Sequence, residues 1–158
     1  MADLGSSVLD GFLARYGVVA EWVTDGEPIR GSYWGAPEAG IVGRRIFLRG
    51  DTPVHSMLHE LCHVVCMDDA RRDALDRDAG GDDLEEAAVC YLQVVLADYL
   101  EDVGRERLMH DMDAWGYSFR LGSASRWFEE DAKDARRWLE DHGLMSACGK
   151  PVFRLRQA

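Results

Sequence analysis

The residues best suited to chemistry in this sequence are two histidines four apart with a glutamate after the first: His59-Glu60-Leu61-Cys62-His63. On an α-helix, residues four apart lie one turn apart on one face, so both imidazoles can turn toward a single ion. Imidazole nitrogen is a good ligand for zinc, and a carboxylate beside the ion can take a proton from water there. Leu58, Leu61, Cys62, Val64 and Val65 surround the histidines, which predicts a helix buried on both faces. Two buried histidines and a carboxylate without partners are costly, and a bound cation removes that cost. The segment therefore predicts one Zn2+ held by His59 and His63, with Glu60 as general base for hydrolysing an amide bond.

A catalytic zinc usually takes three protein ligands and keeps one position open for water. The remaining carboxylates in reach are Asp69, Asp82, Asp83, Glu85 and Glu86. Asp69 stands at the third-ligand position of the HExxHxxGxxH spacing, but Cys66 replaces the glycine that turns the chain there. Helical periodicity favours Glu85. Positions 85, 89, 92, 96, 99 and 103 are Glu, Val, Leu, Leu, Tyr and Val, an apolar stripe with one carboxylate at its head. Positions 86, 90, 93, 97 and 101 are Glu, Cys, Gln, Ala and Glu, which read as the solvent side. A carboxylate on a core-facing stripe needs a cationic partner, and zinc is the expected one, with Glu86 as the alternative ligand.

HExxH on one helix, followed by Glu85-Glu86-Ala87-Ala88 at the head of the next, resembles the gluzincin metallopeptidases. The order of strand 45–49, HELCH helix and segment 85–91 looks most like their compact ImmA/IrrE-type branch, and the resemblance covers residues 41–100. It implies a zincin-like fold, Zn2+ on His59, His63 and Glu85, Glu60 as general base, and a peptide or protein substrate. By the same resemblance, strand 46–48 is either an edge that aligns an extended peptide or an interior strand. Tyr117, His110 and His142 are candidate donors to an oxyanion. His55, one turn before His59, is either a supporting group or an exposed histidine. A non-catalytic, zinc-stabilised binding module is the rival reading, and Glu60 argues against it because a purely structural site has no use for a base.

These side chains need elements to hold them. The 158 residues fit a single α+β domain. An N-terminal helix is expected over 4–16, and short strands over 18–23, 29–34 and 41–48. The active-site helix should start at Pro53, capped by Thr52, and run to Met67. An acidic, Gly-containing connection over 68–81 leads to a long helix over 82–103. A further helix over 123–141 and an alternating tail over 151–156 complete the pattern. The acidic stretch from Asp76 lacks the glutamate a calcium loop needs at its twelfth position, where Ala87 stands.

Composition narrows the partners. A net charge of −11, with Arg44-Arg45 and Arg136-Arg137 too short to make a basic track, argues against nucleic acid. No run approaches the roughly 20 apolar residues of a membrane helix. The first residues, Met1-Ala2-Asp3-Leu4, show neither a basic region nor an apolar run, so a cytoplasmic location and four reduced cysteines are expected.

Overall fold

The computed structural model describes Met1 and residues 4–158, and its helices and small sheet make an α+β fold. Leu9, Phe12 and Leu13 share the buried face of α1 (Ser6–Ala14), which seats that helix against β1 (Val19–Trp22). β2 (Gly40–Val42) and β3 (Arg45–Leu48) form a hairpin. The sheet order is β1-β3-β2, with β3 parallel to β1 and antiparallel to β2. Ile41, Ile46 and Leu48 are fully buried beneath the helices.

Two of the expected strands come out differently. Residues 41–48 split into β2 and β3 because Gly43 adopts a positive φ of 58° and reverses the chain. Residues 29–34 are not a strand. Gly31 has φ 72°, and the chain there crosses β2 so closely that a Cβ on Gly40 would lie 1.8 Å from the Arg30 carbonyl oxygen. This crossing anchors the loop that carries Tyr33, Trp34 and Glu38. It also covers the outer edge of β2, where Ile41 donates to the Gly31 carbonyl and accepts from the Arg77 amide. Strand 46–48 is interior, paired on both sides, so it offers no edge to a peptide.

After β3 the chain enters α2 (Val54–Cys66), which carries the HELCH sequence. The helix starts one residue later than expected, and the Thr52 hydroxyl accepts from the Arg49 amide instead of capping it. The connection that follows contains a short helix, α3 (Asp69–Asp73), capped by Asp68. Asp82 caps α4 (Asp83–Ala97) by accepting from the Glu85 amide. α4 stops at Ala97 rather than 103, because Asp98 accepts from the Arg105 amide and the chain turns back into α5 (Gly104–Ala114). The expected helix over 123–141 is broken at 131–132 into α6 (Ala124–Glu130) and α7 (Lys133–Asp141). α4 packs against α2, α5 and α7. The tail makes a single bridge, Met145 with Pro151, in place of a strand. Among the described residues no helix is long and apolar enough to cross a membrane.

The C-terminal end of α2 is held by a buried arginine. Arg72 donates to the carbonyls of Val64, Met67 and Arg156 and pairs with Asp69. Arg156 in turn donates its amide to the Val65 carbonyl, so tail and α3 together fix the helix that presents His63. Arg72→Met keeps the apolar stem but leaves these buried carbonyls without donors. It should lower stability by roughly 3 kcal/mol. Urea unfolding checks this, and an unchanged midpoint would mean that water replaces the guanidinium.

Candidate metal centre

On α2, His59 and His63 turn their Nε2 atoms toward each other at 3.1 Å. Glu86 on α4 brings Oε1 to 3.7 Å from His63 Nε2, and the three donor atoms all lie within 4.8 Å of one another. Burial holds the His59 and His63 imidazoles below their usual pKa, His63 well below, with the His59 and Arg71 charges adding to the effect at His63. Neutral imidazoles present lone pairs, and two lone pairs this close repel unless a proton or a cation lies between them.

The protonation pattern at His59 follows from one glutamine. Gln93 donates its amide NH2 to the His55 carbonyl at 2.7 Å, which leaves its carbonyl oxygen facing His59 Nδ1 at 3.2 Å. His59 must then carry its proton on Nδ1 and keep the Nε2 lone pair pointed into the cluster. A ring held from behind by an oxygen acceptor is how ligating histidines are normally oriented. The His63 ring has the opposite circumstance: its Nδ1 is buried without a hydrogen-bond partner among the described residues. The donor set, two neutral imidazoles and a carboxylate, suits a zinc ion with an open position.

The structure places Glu85 elsewhere. Its carboxylate accepts from Arg71 at 2.8 Å and from Arg156 at 3.4 Å, and it is not among the donor atoms gathered at the two imidazoles. The argument that a carboxylate on the apolar stripe needs a cationic partner is sound, but two arginines supply it. Glu86 is the carboxylate that joins His59 and His63. It shares the Glu86-Cys90-Gln93 face of α4, which periodicity assigns to solvent and which here lines a cavity or is buried beside it. Asp69 pairs with Arg72, Asp82 caps α4 and Asp83 is exposed, so none of them reaches the cluster.

The cluster opens into a cavity of about 600 Å³. His59, Glu60, His63 and Glu86 line it from the two helices, and three loops supply further walls. These are the 33–38 loop, the 77–80 connection and the 115–117 turn after α5. Burial and the nearby Glu38 and Glu86 carboxylates push the Glu60 carboxyl up to about 8. Tyr117 places its hydroxyl 3.2 Å from His55 Nδ1 and 3.5 Å from the Gln93 amide nitrogen, and burial keeps the phenol protonated. His55 is buried, not exposed. Of the three candidate oxyanion donors, only Tyr117 lines the cavity. His110 is exposed beside Asp111, and His142 stacks on Trp138. Cys90 also lines the cavity, but burial and Glu86 push its thiol up to about 12, so it stays neutral. Cys62 and Cys66 are fully buried, and burial raises both thiols well above their usual range.

Neither protein-family models, nor curated proteins, nor solved structures give a match to this chain.

Gln93 and Glu38 are among the residues of this site that the sequence does not single out. The polar spacing 86, 90, 93 is the only signal for the first, and nothing local marks the second. Gln93→Leu removes the acceptor that fixes His59. It should weaken zinc binding about 10- to 100-fold with little change in fold. Competition against a chromogenic chelator measures this, and an unchanged affinity would remove Gln93 from the site.

Proposed function

We propose that this chain is a zinc-dependent hydrolase of peptide or related amide bonds, with His59, His63 and Glu86 as ligands and Glu60 as general base. The observation that carries the reading is the convergence of three neutral or anionic donors with a separate, half-buried carboxyl on the wall of one open cavity. Zinc, when bound, supplies Lewis acidity and brings the pKa of water toward neutrality. Glu60, on the cavity wall beside these donors, is suited to take a proton from water and return it to a departing amine, because a bound cation would favour its ionised form. Tyr117 remains a hydroxyl donor on the same cavity wall, where it can favour negative charge on a carbonyl oxygen.

The likeness to gluzincins supports this reading through HExxH and a glutamate near the start of α4, a later helix. With Glu86 as ligand the ExxA spacing is lost, since Val89 stands three residues on. A closed structural site is less consistent with these residues, because a fourth Cys or His normally completes such a site. Metal analysis of the purified protein should find about one zinc per chain. Peptide cleavage should stop on chelation and return with zinc. Failure to bind zinc at all would remove the proposal.

A further inference from the structure

The proposed chemistry leaves part of the cavity unused. Its lining carries four carboxylates, Glu38, Glu60, Asp78 and Glu86, against one arginine, Arg77. Glu60 and Glu86 belong to the proposed reaction, and Asp78 follows Arg77 on the same exposed loop. Glu38 has no such role. Its carboxylate makes no hydrogen bond or ion pair among the described residues, although its charge reaches His55, His59, Glu60 and Tyr117.

Glu38 is nonetheless firmly placed. Its amide donates to the Gly35 carbonyl at 3.1 Å, closing a turn. The next amide, Ala39, donates to Ser56 Oγ at 2.9 Å, which ties the loop to α2 one turn before the HELCH sequence. The same cavity is lined by large exposed aromatic side chains. Trp34 is 81% exposed, Tyr33 58% and Trp115 50%. Tyr33 and Trp34 meet edge-to-face at 5.1 Å, and the Trp115 ring lies 5.0 Å from His55. Apolar surface gathered at a cavity in this way marks a place where something binds.

Rings and an unpaired carboxylate together narrow what that is. An apolar side chain would satisfy the aromatic rings but would leave Glu38 desolvated and alone, which is unfavourable. A cation satisfies both, through the ring faces and through a charge-assisted hydrogen bond. We propose that Glu38, with Trp34 and Trp115, forms a subsite for a positively charged group of the substrate, a lysine or arginine side chain or a free amine. The subsite rests on the hydrolase reading for its purpose, and its binding preference can be measured without any turnover.

The test titrates three short peptides into the Glu60→Gln protein, with and without one equivalent of zinc, following heat and tryptophan fluorescence. The probes are acetyl-Gly-Lys-Gly-amide, its norleucine counterpart, and the norleucine peptide with a free amino terminus. The lysine peptide, the free-amine peptide or both should bind at least about tenfold tighter than the blocked norleucine peptide, the worth of one well-placed charge-assisted contact. The pattern between the two tells side chain from terminus. Glu38→Gln in the same background should erase the preference, and Trp34→Ala should weaken binding of the charged peptides. Equal binding of all three peptides, a preference that survives Glu38→Gln, or no binding by any of them overturns the subsite. If the charged peptides bind with the expected preference and zinc-loaded native protein never cleaves them, the hydrolase reading falls and the subsite stands.

Discussion

Glu86→Ala should strip zinc from the protein, whereas Glu85→Gln should leave zinc bound and weaken the fold. The two glutamates are neighbours in sequence, yet they face different partners. Glu86 supplies one of the three atoms gathered within 4.8 Å, so its loss removes one of the three proposed ligands. The drop in affinity should exceed the roughly 10- to 100-fold expected for a supporting residue such as Gln93. Glu85 instead joins α4 to Arg71 on α3 and to Arg156 on the tail. The Arg71 and Arg156 side chains are 35% and 22% exposed, so water softens the loss of charge. A cost of roughly 1–3 kcal/mol follows for Glu85→Gln, far less than for a wholly buried pair. Metal content and urea unfolding of the two variants give opposite patterns. Zinc retained in Glu86→Ala and lost from Glu85→Gln would reverse the assignment.

The reason the sequence favours Glu85 is instructive about what a single sequence can carry. HExxH is local: its geometry depends only on helical pitch, and α2 forms where the residues predict it. The third ligand depends on which face of α4 meets α2. Apolar periodicity finds the buried face but treats every polar face as solvent. Glu86, Cys90 and Gln93 are polar because they line or lie beside a cavity, which the same periodicity cannot distinguish from an outer surface. The partners of Glu85 lie 14 residues before it and 71 after it, beyond any local pattern. The same limit explains the missed turn after α4. Tyr99 and Val103 continue its apolar stripe in sequence, and it is the Asp98 side chain, by capping Arg105, that turns the chain. Segment 29–34 follows a turn and reads as a short strand, but its place is decided by a close crossing at Gly31 and Gly40, which only the folded chain reveals. Glu38 is brought to the site by the Gly31–Gly40 crossing and by the hydrogen bond from the next amide, Ala39, to Ser56, in a loop with no signature of its own.

Glu60→Gln should abolish hydrolysis while leaving zinc in place, and it should make the metal-free protein more stable in alkaline solution. The amide has the size of the carboxylate but cannot accept a proton from water. General-base contributions are about 10²- to 10⁴-fold, so the loss should dominate any working assay. The stability effect has a separate origin. The Glu60 carboxyl, with an ordinary value of 4.5, is held protonated in the fold until about 8 by burial and by Glu38 and Glu86. Between those pH values the folded chain keeps a proton that the unfolded chain has released, so stability falls as pH rises through the window. The full penalty is reached above 8 and vanishes below 4.5. Glutamine never incurs it. Because the side chain is only half-buried and water softens the penalty, metal-free Glu60→Gln should exceed the wild type by roughly 2–4 kcal/mol at alkaline pH, less than the whole shift implies, and match it in acid. Zinc loading should narrow the gap, because a nearby cation favours the ionised carboxylate. Thermal unfolding across pH, with and without zinc, reads both effects on the same samples. Cleavage of a genuine substrate at the wild-type rate would end the general-base role of Glu60. A pH profile identical in the two metal-free proteins would show instead that water reaches the carboxyl and that its burial carries no charge penalty.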